Sequence, residues 1–407
     1  MNREEYKRKA RKYLYKFCEV KPNRRLGSDG NREATKFFAD KAKHWEYQLD
    51  TSQFDCLDYK IGEVSLNHKN KEFQVKYSPY SLGCEVTSEL VQVTSVDELE
   101  EVDCYEKILL MKDEICQEQL MPKNFVFYHP EHHRKIISLL EVKQPAGIIT
   151  ATSKNPEQVG AIYPYPLIFD GDFNIPSVFC TAEEGDRLSK KKGENFYLKI
   201  DAQRIPAKGN NVILRKNQDS KKKIVVCAHI DAYLNSPGAS DNASGVTVEL
   251  ILAEMLRYYQ GLKGIEIIAF NGEDHYSVAG QMDYLKRYGH EMEHIELAIN
   301  IDDVGFHEGG TSISYYECSE KIQAKINKIL ESFPDIGEGF QWFQGDHMIF
   351  AQKGIPTIAV TCEKAYELMA TITHSEKDTP KNIDTNKLIN IAEALTHIVH
   401  ACSISNS

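Results

Sequence analysis

The sequence predicts an α/β protein: a mixed, largely parallel central sheet flanked by helices, with a smaller β-rich domain inserted into it. Three observations carry this. From residue 206 onward, strand-like apolar runs alternate with helical ones, as in a parallel sheet covered on both faces. From about 60 to 205 the texture is one of short apolar runs broken by turns. The acids and histidines of the second half fall at the carboxyl ends of its strand-like runs, where open α/β sheets place their sites. The division that follows is a main domain of residues 1–62 and 206–407 and an insert of residues 63–205.

In chain order, residues 3–18 read as a helix of mixed charge and RRLGSDGN (24–31) as a turn-rich loop. NREATKFFADKAKHW repeats its apolar residues at helical spacing. In the insert, EKILLMK, PAGIITAT and IPSVFCT read as strands and residues 131–142 as a helix. KKIVVCAHID is a strand, GVTVELILAEMLRYYQ an amphipathic helix, and GIEIIAFNGED a strand. SVAGQMDYLKRYG is a helix and HIELAINIDDVG a strand. TSISYYE and GIPTIAVTC are strands either side of the helix EKIQAKINKILESF, and TNKLINIAEALTHIVHAC is the last helix.

The chain has 407 residues, enough for two or three domains. It is 42% hydrophobic and 27% charged, which is ordinary globular usage and excludes collagen, coiled coil and wholesale disorder. No apolar run reaches the roughly 18 residues of a membrane span. The opening MNREEYKRKARKYLYKF lacks the apolar core of a signal peptide, so a cytoplasmic protein is expected. With 49 basic and 60 acidic residues the net charge is −11, a mean field that repels nucleic acid and anionic membranes. The run Lys221, Lys222 and Lys223 reads as a solvated strand entry. Ten cysteines include no Cys-x-x-Cys pair, which removes a thiolate zinc site and suits reduced, buried thiols.

His229 and Asp231 close the first strand of the second half, and Asp241 lies in the following loop. Glu273 and Asp274 close the next strand, Asp302 and Asp303 the third, and His374 lies beyond GIPTIAV. Each is commonplace alone. Gathered at one sheet edge, unpaired carboxylates repel, and two imidazoles among them suit a divalent metal with N and O ligands.

In order, HID (229–231), GASDNASG (238–245), FNGED (270–274), NIDDVG (300–305), GDHMIFAQKGIPTIAV (345–360) and THSEKDT (373–379) resemble the M28 family of zinc metallopeptidases, mostly aminopeptidases. RRLGSDGN and the helix after it resemble that family's amino-terminal segment. The resemblance implies the zinc-peptidase fold and two Zn2+ ions, with Co2+ or Mn2+ as substitutes. It implies His229 and Asp302 as ligands of one ion, Asp274 and His374 as ligands of the other, and Asp241 as the bridge. Asp303 stays open as the alternative to Asp302. Glu273 matches the general base that takes a proton from water and returns it to the leaving amine. Asp231 matches a carboxylate that orients the His229 ring, and Asp241–Asn242 matches a cis peptide. Many relatives carry Glu-Glu where this chain reads Glu273-Asp274, which puts the strength of one metal site in question.

The implied substrate is a peptide, cut from its amino terminus. Trp342, Phe343, Tyr276 and Tyr366 are candidates for its surroundings, each more in keeping with packing. Asp346 reads as a holder of loops and His347 as a cap of the following helix. The stretch 85–200 loosely resembles the protease-associated domain of some M28 members. Its YHPEHHRK, with His129, His132 and His133, reads as a solvated cluster. The alternatives are a carboxypeptidase, a glutaminyl-cyclase-like acyl transferase, or a non-catalytic binding protein. The filled ligand set and base speak against the last. Oligomeric state leaves no mark in the sequence.

Overall fold

Strands Lys223–His229 and Gly264–Phe270 are buried at every position, the condition met by near-continuous apolar runs inside a covered sheet. The computed structural model to which they belong describes residues 2–126 and 129–404. It divides into two compact units, Met1–Cys56 with Lys208–Ser407, and Leu57–Ala207.

The sheet of the first unit has eight strands: β1 Gln48–Asp50, β2 Val212–Lys216, β3 Lys223–His229, β4 Gly264–Phe270, β5 Ile295–Ile301, β6 Thr311–Tyr316, β7 Ile336–Glu338 and β8 Thr357–Cys362. Their spatial order is β1-β2-β4-β3-β5-β8-β6-β7. Strands β4, β3, β5 and β8 run parallel, while β2 joins β4 and β6 joins β8 antiparallel. The sheet is therefore mixed with a parallel centre, and the carboxyl ends of its four central strands share one edge.

Helices Arg3–Cys18, Gly245–Met255 and Thr385–Ile404 pack together over this sheet. Asn2 caps the first by accepting from Glu5 N–H, and Ser28 caps Asp29–Ala42 by accepting from Asn31 N–H, each satisfying a backbone donor the helix start leaves open. Gly245–Met255 departs from the amphipathic helix expected. Ten successive residues from Gly245 to Glu254 are buried, because helices as well as the sheet surround it. Val226, Ile267, Ile299 and Leu395 belong to this core, each fully or almost fully buried and worth about 1.5–3 kcal/mol.

The second unit has its own mixed sheet, in which Cys84–Val93, Ile108–Met111, Gly147–Thr152 and Ser177–Thr181 run parallel. Helix Glu131–Lys143 precedes the third of these strands, and Leu110, Ile149, Val178 and Leu198 lie in one core cluster. No described helix is long and apolar enough to cross a membrane.

Candidate metal centre

The parallel centre of the sheet brings four chain segments to one edge. β3 ends on His229, and β5 runs into Asp302, whose N–H continues the ladder to Val360 O at 2.9 Å. β4 is followed by a turn at Gly272, φ +118°, a conformation that favours glycine and that sets Glu273 and Asp274 at the edge. His374 lies in the loop after helix Ala365–Thr371.

Asp241 sits between the two histidines. Its Oδ1 lies 3.0 Å from His229 Nε2, and its Oδ2 lies 2.9 Å from His374 Nε2. Asp302 Oδ1 joins the His229 side at 3.3 Å, and Asp274 Oδ1 the His374 side at 3.2 Å. One carboxylate thus faces two imidazole–carboxylate pairs, one through each oxygen. Between the two neighbours Asp302 and Asp303, it is Asp302 that reaches His229. Asp303 has φ +51°, and its carboxyl is near Ser240, Asp241 and Asp378. The peptide Asp241–Asn242 is cis.

Backbone donors hold these segments in place. Asp378, fully buried, accepts from Ser240 N–H at 2.8 Å and Asp241 N–H at 3.1 Å. Asn242 donates to Ile301 O at 2.8 Å and accepts from Gly245 N–H at 2.9 Å, linking Asp241 to the strand that carries Asp302. Asp231 Oδ1 lies 3.6 Å from His229 Nδ1, beyond hydrogen-bond length. Its hydrogen bonds go to the β4 turn instead. Oδ1 accepts from Gly272 N–H at 2.7 Å and Glu273 N–H at 3.1 Å, and Oδ2 from Asp274 N–H at 3.1 Å. Arg24, from the amino-terminal loop, donates to Ile230 O, Pro237 O and Gly238 O and so clamps the segment between His229 and Asp241.

The electrostatics are those of crowded acids. Burial pushes the Glu273 carboxyl well above the usual range, and Asp274, Asp302 and Asp346 add to the rise. Burial also lifts Asp274, with Asp241 beside it, to about 6. Burial would raise Asp241 as well, but His229 and His374 outweigh it and hold the carboxyl below its ordinary value. Burial alone would lower both histidines; the surrounding carboxylates drive them well above it. Both ring nitrogens of His229, Asp274 Oδ2 and Asp302 Oδ1 are buried without a hydrogen-bond partner. Two imidazoles and three carboxylates facing one another, with the orphaned atoms of His229, Asp274 and Asp302 among them, suit a divalent cation of the zinc type.

The other candidates separate. Tyr276 is buried, Trp342 half-buried, and Phe343 and Tyr366 exposed. Asp346 is buried and accepts from Gln281 Nε2 at 2.6 Å. His347 opens helix Met348–Ala351 but makes no side-chain cap bond. Its Nε2 meets Trp342 O at 2.9 Å, and burial pulls its pKa down to about 4. In the second unit His132 and His133 both face Glu118, but His133 Nδ1 accepts Met121 N–H at 3.1 Å. Sequence reasoning did not single out Arg24, Tyr233 or Asp378. For Arg24 and Asp378 the signal was their place inside RRLGSDGN and THSEKDT.

Residues 211–399 match the model of peptidase family M28. The chain is 26% identical over 245 residues to aminopeptidase YwaD of Bacillus subtilis, covering 58% of this chain and 53% of that one. It is 29% identical over 133 residues to the probable lipoprotein aminopeptidase LpqL of Mycobacterium tuberculosis, covering 32% of this chain and 26% of that one. The match thus spans about half the length, or less, of these curated relatives. Among solved structures, an aminopeptidase from Aneurinibacillus sp. strain AM-1 and a zinc aminopeptidase from Bacillus subtilis each align with a TM-score of 0.77 at 19% identity, over 98% of this chain and 95% of theirs. That likeness establishes the fold.

Proposed function

We propose that this chain, which belongs to peptidase family M28, is a di-zinc aminopeptidase that removes residues from the amino terminus of peptides. The observation that carries the reading is the division of Asp241, one oxygen toward His229 and Asp302 and the other toward His374 and Asp274. His229, Asp302 and Asp241 would hold one ion, and His374, Asp274 and Asp241 the other. When bound, two such ions lower the pKa of water toward neutrality and polarise the scissile carbonyl.

The chain's own residues do the rest. Glu273 adjoins Asp274 without making a short contact to either histidine, and its raised affinity for protons suits a general base. It takes the proton from the attacking water and delivers it to the leaving amine. Asp231 holds the backbone of Glu273 and Asp274 through three N–H donors, so base and ligand keep a fixed spacing. Residues 63–205 are read as a protease-associated-like insert. The location we propose is cytoplasmic.

The test is mass-spectrometric product analysis of a peptide pool carrying free and acetylated amino termini, with zinc counted on the same enzyme. Stepwise loss from free termini only, with two zinc ions per chain and turnover slowed by about 10²–10⁴-fold in Glu273→Gln, is expected. Loss from carboxyl termini, ring closure of amino-terminal glutamine, or absence of bound zinc overturns it.

A further inference from the structure

Tyr233 lies in the loop between His229 and Asp241, buried at 8% exposure. Its ring stacks on the imidazole of His374, with centroids 4.5 Å apart and planes 18° from parallel. The same two loops are tied again nearby, where Ser236 Oγ donates to Ser375 O at 3.1 Å. The two histidines are thus held differently. His229 ends a central strand with its side chain 2% exposed, whereas His374 lies on a loop with its side chain 22% exposed. The His374 backbone has φ +64°, the left-handed region, which a non-glycine residue keeps only when its surroundings impose it.

An imidazole donates along one direction in its own plane. A rotation about the bond to its Cβ would swing Nε2 away from Asp241 Oδ2 and Asp274 Oδ1, now at 2.9 and 3.2 Å. A second ring parallel to the first opposes that rotation, because turning either plane drives its edge into the other's face. We propose that Tyr233 is a positioning residue for His374: its stacked ring fixes the imidazole plane, and with it the zinc position shared by His374 and Asp274. This rests on the two-zinc reading above. The stack is a property of the aromatic face, so the phenolic hydroxyl is dispensable.

The test is equilibrium dialysis against chelator-buffered zinc, with bound metal counted by mass spectrometry, on the full chain and on Tyr233→Phe, Tyr233→Leu, Tyr233→Met and His374→Ala. The native chain is expected to fill two positions and Tyr233→Phe to match it. Tyr233→Leu and Tyr233→Met should keep one position at native affinity and weaken the other by roughly 10- to 100-fold, the range for partners that orient a ligand. Turnover in these two should return as free zinc is raised, which general unfolding would not allow. Should Tyr233→Leu not fold, Tyr233→Met and Tyr233→Phe still decide the matter. The inference fails if His374→Ala drops to one zinc while Tyr233→Leu and Tyr233→Met fill both positions as the native chain does. It fails equally if Tyr233→Phe loses as much as Tyr233→Leu. A native chain that never exceeds one zinc, or a His374→Ala that still takes two, brings down the two-zinc reading and this inference with it.

Discussion

Replacing Asp231 with asparagine should slow turnover about 100-fold or more, although Asp231 touches neither substrate nor the reacting atoms. The carboxylate, 1% exposed, accepts three backbone N–H groups: Gly272 at 2.7 Å, Glu273 at 3.1 Å and Asp274 at 3.1 Å. Asparagine keeps one acceptor oxygen. That oxygen can serve two of the three donors, while the new amide N–H faces the third. Losing one bond to a charged acceptor costs about 1.5–3 kcal/mol, and making the other two neutral costs about 1 kcal/mol each. Relaxation of the turn recovers part of this, which leaves about 3 kcal/mol expressed as misplacement of Glu273 and Asp274. At about 1.4 kcal/mol per decade that is about two decades in kcat. The assay is steady-state kinetics on a free-amino-terminus peptide, with amide hydrogen exchange read across residues 272–274. Because Asp231 acts through Glu273 and Asp274 together, the double variant Asp231→Asn/Glu273→Gln should be slower than Glu273→Gln alone by less than the loss Asp231→Asn causes in the native chain. Turnover within threefold of native, with unchanged exchange in the turn, would refute the reasoning.

Glu273→Gln should lower kcat by about 10²–10⁴ while zinc content stays native, checked by kinetics and metal analysis of one preparation. Arg24→Lys should destabilise the first unit by about 2–4 kcal/mol and speed amide exchange in 230–241. The guanidinium fork serves Phe17 O, Ile230 O, Pro237 O and Gly238 O at 3.1, 2.9, 2.7 and 2.7 Å, and an ammonium cannot reach all four. Asp50 contributes an acid-sensitive share of stability. Burial would raise its carboxyl, but hydrogen bonds from Tyr288, Ser52 and Arg215 win and hold it at about 2. A depressed folded pKa stabilises above the unfolded value near 4, and that share is lost as pH falls through 4 toward 2. After solvent screening it is about 1–2 kcal/mol. The thermal midpoint of Asp50→Asn should therefore lie below native at pH 6 and converge on it near pH 2.

What the sequence could show was whatever depends on strand ends. A parallel sheet sends its carboxyl ends to one edge, so His229, Glu273, Asp274 and Asp302 announce themselves once the alternation of elements is read. Contacts between loops leave no such trace. Tyr233 meets His374 only because two loops fold over the same edge, and neither residue carries a local pattern that says so. The helix Gly245–Met255 failed as an amphipathic helix for a related reason. Glu249 and Glu254 look like a polar face, yet both are buried. Lys9 of the first helix neutralises Glu254 at 2.7 Å, a partner far away in sequence. Burial pushes the Glu249 carboxyl well above its ordinary range, and burial of this kind is not written in the letter E.

Donor count alone does not make a metal centre, and the second unit supplies the contrast. Glu118, His132 and His133 bring three ligand atoms within 4.8 Å, as do His229, Asp241 and Asp274. At His133, Nδ1 accepts the Met121 N–H, so that nitrogen carries no proton of its own. The neutral ring must then hold its proton on Nε2, the atom facing Glu118 at 3.1 Å, and a protonated nitrogen has no lone pair for a cation. Hydrogen bonds from Gln158 and the two histidines, outweighing burial, bring Glu118 down to about 2, so this acid is already satisfied as an anion. At the sheet edge the reverse holds. Both nitrogens of His229 lack a hydrogen-bond partner, and burial and mutual repulsion raise Asp274 and Asp302. One cluster has closed its own hydrogen bonds; the other gathers two imidazoles and three carboxylates of which His229, Asp274 and Asp302 keep buried atoms without a hydrogen-bond partner, and it is this unmet demand, not the roster of residues, that marks the candidate cation site.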